Sequence, residues 1–190
     1  MDGIKRQCTR DYVLQYSTIK SFADRAFAVS GGYESSYVLA NFQEVDQLAN
    51  WRNAWISRPK REPGTRPRSL VVVGPSRSGK TEWARCLGKH IYLNSYYNLN
   101  EMLDHDDKDF IILDDIPWER FPAYKAILGC QREFTLTDKY HRKVALRNWN
   151  LPCLVLWNED MYPEEWCSNK NLIDWLAENV EIVRLNKKLY

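Results

Sequence analysis

One stretch of eight residues constrains the fold of this chain more than any other, Gly74-Pro75-Ser76-Arg77-Ser78-Gly79-Lys80-Thr81. Its spacing fits G-x-x-x-x-G-K-[ST], the phosphate-binding P-loop. An apolar run at residues 70–73 precedes it, and the residues after it favour a helix. The sequence therefore predicts a strand, a glycine-bounded loop and a helix, with residues 74–81 binding the phosphates of a nucleotide.

The residue types in this loop each suit phosphate binding. Gly74 and Gly79 allow backbone conformations that a Cβ would penalise, so that the loop's N–H groups can turn towards an anion. Lys80 can reach the β- and γ-phosphates, and Thr81 can place its hydroxyl on Mg²⁺. We therefore expect a nucleoside triphosphate and Mg²⁺ as the ligands.

Polar residues end two further apolar strands downstream of this loop. Asp114 and Asp115 follow Phe110-Ile111-Ile112-Leu113, and Asn158 follows residues 151–157. Ligands bind at the carboxyl ends of parallel strands, so these side chains should face the same crevice as the loop. We predict Thr81 and Asp114 as Mg²⁺ ligands, and Lys80, Asp115 and Asn158 as catalytic. Asp115 would orient or deprotonate the attacking water, and Asn158 would hold that water or the γ-phosphate.

Buried strands alternate with helices from residue 69 onwards, which indicates an α/β fold with a parallel sheet. The predicted strands cover residues 70–73, 91–93, 110–116, 151–157 and 180–185, and the predicted helices cover 79–89, 99–103, 123–128 and 171–178. Residues 134–136 and 144–146 form the arms of a predicted hairpin.

The first 57 residues carry two amphipathic helical patterns, over residues 12–27 and 42–56, the second with a predicted capping box from Asn41 to Glu44. Two such helices cannot enclose a core of their own, so their apolar faces must pack on each other, on the next domain or on another subunit.

Residues 58–68 contain three prolines and five basic residues, a composition typical of a linker. The basic run is either a hinge, a nucleic-acid contact or a nuclear-import signal.

Composition narrows the partners of the chain. The net charge is +2, so any nucleic-acid contact must be local. The hairpin tip supplies such a contact, since cations and an aromatic ring there suit single-stranded nucleic acid; the predicted DNA-binding residues are Lys139, Tyr140, His141, Arg142 and Lys143.

Five cysteines without a C-x-x-C pair argue against a disulfide scaffold or zinc ribbon. No apolar stretch is long enough for a membrane span, so we expect a soluble, intracellular protein.

These motifs together resemble a superfamily 3 helicase of the AAA+ class, and more closely the replication initiator protein (Rep) of geminiviruses and their fungus-infecting relatives. The resemblance is carried by Arg66-Pro67-Arg68-Ser69-Leu70, the P-loop with Trp83-Ala84-Arg85, Leu113-Asp114-Asp115-Ile116-Pro117-Trp118, Gly129-Cys130-Gln131-Arg132 and Lys139-Tyr140. The N-terminal segment, with Tyr12-Val13-Leu14-Gln15-Tyr16 and Trp51, is similar to that family's helical oligomerisation region.

The resemblance implies a three-layer AAA+-type ATPase at residues 69–190, a helical oligomerisation region at 1–57 and a linker at 58–68. It implies ATP-driven translocation on single-stranded DNA by a homo-oligomeric, hexameric ring in rolling-circle replication, with an arginine acting in trans and the hairpin tips lining the channel. We expect this in the host nucleus. The family's nicking endonuclease would lie elsewhere, since no His-x-His pair occurs in this sequence.

Two departures from the family pattern stand out. His141 replaces the glycine that the plant viruses commonly have after Lys-Tyr, and no arginine closely follows Asn158. The candidates for the trans arginine are Arg120, Arg132, Arg147 and Arg184. Two rival functions stay open, a nucleotide-gated assembly module without unwinding activity and a small-molecule P-loop kinase.

Overall fold

The chain divides into two compact units, Met1–Glu34 and Ser35–Tyr190. The computed structural model describes residues 33, 35–57, 64–121, 123–136 and 143–190. The first predicted helix, at residues 12–27, lies outside this part of the chain, as do the first six residues of the predicted linker.

Parallel strands form the centre of the second unit. The strands are β1 (Ser69–Val73), β2 (His90–Asn94), β3 (Phe110–Asp114), β4 (Glu133–Leu136), β5 (Val144–Arg147), β6 (Cys153–Trp157) and β7 (Val180–Arg184). Five of them make one sheet in the order β2-β3-β6-β1-β7, with every neighbouring pair parallel. β4 and β5 form a separate antiparallel pair. The predicted α/β class with a parallel sheet, and the predicted hairpin strands, are confirmed.

Helices cover both faces of the sheet. They are α1 (Asp46–Trp55), α2 (Lys80–Arg85), α3 (Leu99–Met102), α4 (Tyr124–Ile127), α5 (Glu165–Ser168) and α6 (Lys170–Asn179). Side chains alternate across a strand, so Leu70 and Val72 of β1 pack with α1 and α2 on one face, while Val71 and Val73 pack with α3, α4 and α6 on the other. β1, β3 and β6 are buried along their whole length, and this gives the three-layer arrangement.

The second N-terminal helix packs on the sheet. Trp51 of α1 is fully buried against Leu70 and Val72, and its indole N–H donates to the carbonyl of Arg68 at 2.9 Å. Among the described residues, α1 therefore packs on the sheet domain that follows it, one of the three partners that the sequence left open.

The predicted capping box at Asn41 is wrong. Asn41 ends a 3₁₀ turn, and its side-chain oxygen accepts from the N–H of Val38 at 2.8 Å. The next residue, Phe42, is extended, and Gln43 donates its N–H to the carbonyl of Leu189. Because this pairing holds the chain extended, the helix begins only at Asp46.

Two other local expectations also change. The helix after the P-loop ends at Arg85 rather than Lys89, because Lys89 exchanges hydrogen bonds with Asp109 at the start of β3. The acidic run around His105, from Asp104 to Asp107, favours a solvated loop in the sequence, but His105 is buried against Trp149, and its Nε2 lies 2.8 Å from the carbonyl of Arg147. Among the described residues, no helix has both the length and the apolar character that crossing a bilayer requires.

We expect Trp51→Ala to lower the free energy of unfolding by about 3–5 kcal/mol, as for other buried tryptophans. The substitution removes the ring between α1 and β1 and leaves the Arg68 carbonyl without its indole donor. Urea unfolding followed by circular dichroism measures the change. Asn53→Ala, at an exposed position of the same helix, should shift it by less than about 0.5 kcal/mol; an equally small loss at Trp51 would contradict the packing of α1 on the sheet.

Candidate functional site

The loop between β1 and α2 has the backbone that its glycines predict. Gly79 has a φ of +91° and Arg77 a φ of +58°, both in the left-handed region. A Cβ on Gly74 would lie 2.8 Å from the Cβ of Leu185, so glycine is also needed there for a close approach. Ser78 is buried beneath the loop, while Pro75, Ser76 and Arg77 are exposed on it. The loop therefore curls around the side chain of Lys80.

Lys80 closes this loop and joins it to the end of β6. Its ammonium donates to the carbonyls of Gly74 at 2.9 Å and Pro75 at 2.8 Å, and to the Oδ1 of Asn158 at 3.1 Å. Burial lowers the pKa of Lys80, while the carboxylates of Asp115, Asp114 and Glu159 oppose that shift. The cation is thus held at the carboxyl end of the sheet among acceptors that a phosphate can replace.

Asp114 and Thr81 meet at the end of β3. The Oδ2 of Asp114 accepts from the hydroxyl of Thr81 at 2.9 Å and from that of Tyr92 at 2.8 Å. Burial raises the pKa of Asp114, and the hydrogen bonds from Tyr92 and Thr81 counteract this. A hydroxyl and a carboxylate at this separation are oxygen ligands that can share one Mg²⁺.

Mg²⁺ suits this sparse donor set. Within the described residues, no group of three or more His, Cys, Asp or Glu side chains is placed to hold a metal. Mg²⁺ usually takes only one or two protein ligands, together with waters and substrate phosphates. Thr81 and Asp114 are therefore suited to an Mg²⁺ ion that arrives bound to a nucleotide, and not to a metal ion held entirely by protein ligands.

Asp115 turns away from the sheet directly after Asp114. Its φ of +51° is a left-handed conformation that aspartate tolerates. The turn is fixed on both sides, because the N–H of Asp115 donates to the carbonyl of Leu156 and the indole of Trp157 donates to the carbonyl of Ile116 at 2.7 Å. The carboxylate is therefore exposed at the rim of the crevice instead of buried beside Asp114.

One cavity of about 180 Å³ collects these groups. Its lining comprises Ser76, Arg77, Ser78, Gly79, Lys80, Thr81, Glu82, Asp114, Asp115, Asn158 and Tyr190. The residues predicted to be catalytic or metal-binding thus line one cavity at the carboxyl ends of three adjacent strands. Six of the eight P-loop residues, Ser76 to Thr81, line the same cavity.

Three residues at or beside the cavity carry no sequence motif: Tyr190 lines the cavity, while Tyr92 and Glu159 adjoin the lining residues Asp114 and Asn158. Tyr92 lies on β2, where parallel pairing with β3 brings its hydroxyl to Asp114; the alternation of side chains along residues 90–94 was the only signal for it. Tyr190 reaches the P-loop from the segment after β7, and no motif marks it. Glu159 pairs with Arg184 at 2.7 Å next to Asn158.

The four candidate trans arginines differ in their surroundings. Arg184 lies over the ring of Tyr162 and pairs with Glu159, the residue after Asn158. Arg147 pairs with Glu133 across the hairpin at 3.1 Å, and Arg120 lies over the ring of Tyr96. Arg132 is exposed just before β4.

The structure describes the hairpin strands but only one of the five predicted DNA-binding residues. β4 and β5 pair from Glu133 with Arg147 to Leu136 with Val144. Lys143 is exposed immediately before β5. Lys139, Tyr140, His141 and Arg142 lie outside the described residues.

The sheet order, the P-loop and the strand-terminal acids define an α/β domain of the P-loop type. In comparisons with known proteins, residues 1–83 match the model of the geminivirus rep protein central domain. The replication-associated protein of Tobacco yellow dwarf virus is 32% identical over 170 residues, covering 89% of this chain and 49% of the relative. That of Miscanthus streak virus is 36% identical over 172 residues, covering 88% and 46%.

The replication-associated protein of Maize streak virus genotype C is 41% identical over a shorter stretch of 103 residues. This match covers 54% of this chain and 28% of that protein. The chain therefore belongs to the family of geminivirus-like Rep proteins, which confirms the predicted resemblance. It spans about half the length of the first two relatives.

Proposed function

We propose that this chain is the ATP-hydrolysing part of a viral replication-associated protein, and that it drives a DNA helicase. The observation that carries the proposal is the contact of Lys80 with both the P-loop carbonyls and Asn158, beside the Asp114–Thr81 pair. This arrangement places a cation, two magnesium-type ligands and a neutral amide within one cavity.

Each side chain would then have a separate task. Lys80 exchanges its carbonyl acceptors for the β- and γ-phosphate oxygens, and Asn158 fixes the γ-phosphate end by hydrogen bonds. Thr81 and Asp114 would hold Mg²⁺, which would neutralise charge that develops on the phosphates. Asp115, exposed at the rim, accepts the proton of the attacking water.

The role in replication is supported by the relatives, which are named replication-associated proteins. We extend this to single-stranded DNA as the partner, a hexameric ring as the assembly and the host nucleus as the location. Such a ring would place one subunit's exposed arginine at its neighbour's cavity, and Arg120, Arg132, Arg147 and Arg184 are the candidates. The hairpin formed by β4 and β5 would carry its basic tip towards the DNA.

The experiment that tests this function measures ATP hydrolysis, DNA unwinding and particle mass for the same preparation. We expect hydrolysis that rises with single-stranded DNA, unwinding of a tailed duplex and a ring-sized particle with nucleotide bound. Ring formation without turnover would favour the nucleotide-gated assembly module. Transfer of phosphate to a small acceptor instead of water would favour the kinase.

Replacing Lys139 and Lys143 together with alanine should uncouple DNA from hydrolysis. Each lysine that contacts a phosphate of single-stranded DNA contributes about 0.7 to the slope of log K against log salt, so the steepness of that slope should fall by about 1.4. ATP binding should stay unchanged, because the cavity lies at the ends of other strands. Replacing Lys89 and Lys170, two exposed lysines outside the hairpin, provides the control, and normal unwinding by the hairpin variant would remove the tip from the mechanism.

A further inference from the structure

Three aromatic side chains form a cluster beside the P-loop that the proposed hydrolysis does not use. The rings of Tyr37 and Tyr190 are stacked, with centroids 5.9 Å apart and planes at 24°. Phe42 meets the ring of Tyr190 edge-on at 6.2 Å. Tyr37 is 39% exposed and Tyr190 is 49% exposed, so the cluster keeps aromatic surface open to a ligand.

The backbone just before Tyr190 fixes its ring against the loop. Leu189 donates its N–H to the carbonyl of Ser78 at 2.8 Å. A Cβ on Gly79 would lie 2.6 Å from the Cε1 of Tyr190, so the absence of a side chain at Gly79 is what lets the ring rest on the loop. Tyr190 is thereby part of the cavity wall together with Lys80.

Tyr37 is held beside Tyr190 by contacts from Glu82 in α2 and from Cys86 just after it. The hydroxyl of Ser35 donates to the Oε2 of Glu82 at 2.9 Å, and the thiol of Cys86 donates to the carbonyl of Tyr37 at 2.9 Å. Glu82 also lines the cavity. The segment that carries Tyr37 is therefore attached to the residues that directly follow the P-loop.

The lining of the cavity includes both the groups expected to hold the phosphates, Lys80, Asp114 and Asn158, and two residues of the aromatic side, Glu82 and Tyr190. We propose that Tyr190 and Tyr37, with Phe42 at their edge, form the stacking site for the base of the bound nucleotide. This inference rests on the proposed nucleotide site and identifies what the site binds beyond the phosphates.

Stacking makes a specific prediction about selectivity. Base–aromatic contacts tolerate different bases because every base has a π-face, and they strengthen binding by about 5- to 100-fold per base. The chain should therefore bind ATP and GTP with similar affinity. Both should bind more tightly than inorganic tripolyphosphate, which carries the phosphates without a base.

Calorimetric titration of the 190-residue chain with ATP and with tripolyphosphate, each with Mg²⁺, tests the site. We expect about a tenfold preference for ATP, which Tyr190→Ala abolishes by weakening ATP binding while leaving tripolyphosphate binding unchanged. Tyr37→Ala should reduce the preference, and Tyr190→Phe should keep it because the ring remains. Tyr96→Ala is the matched control. Tyr96 is a 70% exposed tyrosine that follows β2, the edge strand opposite β7.

Three results would overturn the base site. Equal affinity of the unaltered chain for ATP and tripolyphosphate would show that no base is recognised. Tighter binding of both ligands by Tyr190→Ala would mean that the ring obstructs the phosphates, and equally weaker binding would mean that it only supports the loop. Binding of neither ligand by the unaltered chain would instead refute the nucleotide site itself, so the two failures are distinguishable.

Discussion

Lys80→Ala is expected to lower ATP hydrolysis by at least roughly 10²–10³-fold, the loss typical when a preorganised group that stabilises transition-state charge is removed. Lys80 is only 7% exposed and already points at acceptors on both sides of the cavity. No reorganisation is therefore needed when phosphate oxygens take their place. Steady-state phosphate release with and without single-stranded DNA measures the effect.

Two comparisons separate this role from a general loss of charge. Lys89→Ala removes an exposed lysine that pairs with Asp107 at the surface and should leave hydrolysis unchanged. Lys80→Arg should not restore activity, since a planar guanidinium cannot replace a compact ammonium held by two carbonyls and an amide. Hydrolysis by Lys80→Ala at more than a tenth of the normal rate would show that the P-loop lysine is not part of the reaction.

The parts of the site that the sequence predicted follow from one geometric rule. β1, β3 and β6 are apolar on both faces, which is typical of buried parallel strands, and the residue after each such strand must emerge at the same edge of the sheet. The meeting of Lys80 with Asn158 was therefore predictable, although 78 positions separate them. The glycines of the loop were predictable for a different, local reason: the turn at Gly79 needs a positive φ, which glycine adopts without strain.

The parts that the sequence did not predict depend on contacts between distant segments. The start of α1 is set by the pairing of Gln43 with Leu189, which overrides the capping signal at Asn41. Tyr190 becomes part of the cavity only because Leu189 is bonded to the P-loop. His105 looks solvent-exposed among its acidic neighbours, yet Trp149 covers it from a remote part of the chain. No local pattern encodes these pairings.

Asp115→Asn is expected to lower the turnover number by about 10²–10⁴-fold, the usual contribution of a general base, while the affinity for ATP stays the same. The carboxylate of Asp115 is exposed at the rim of the cavity. Thr81 donates its hydrogen bond to Asp114 instead. Lys80 donates to two P-loop carbonyls and to Asn158. Asparagine also accepts the left-handed backbone at this position, where φ is +51°. The variant should therefore fold normally, keep its contacts to the nucleotide and lose the proton acceptor.

Asp114→Asn provides the comparison, because the two acids are adjacent yet differ in surroundings. Asp114 is buried and accepts hydrogen bonds from Thr81 and Tyr92, so its substitution should raise the Mg²⁺ concentration needed for half-maximal nucleotide binding. Asp115→Asn should leave that concentration unchanged. Single-turnover hydrolysis and Mg²⁺-dependent binding of a fluorescent ATP analogue separate the two effects. A pattern in which Asp115→Asn alters the Mg²⁺ requirement while turnover with saturating Mg²⁺ is normal would assign Asp115 to the metal and leave the attacking water without a base in this chain.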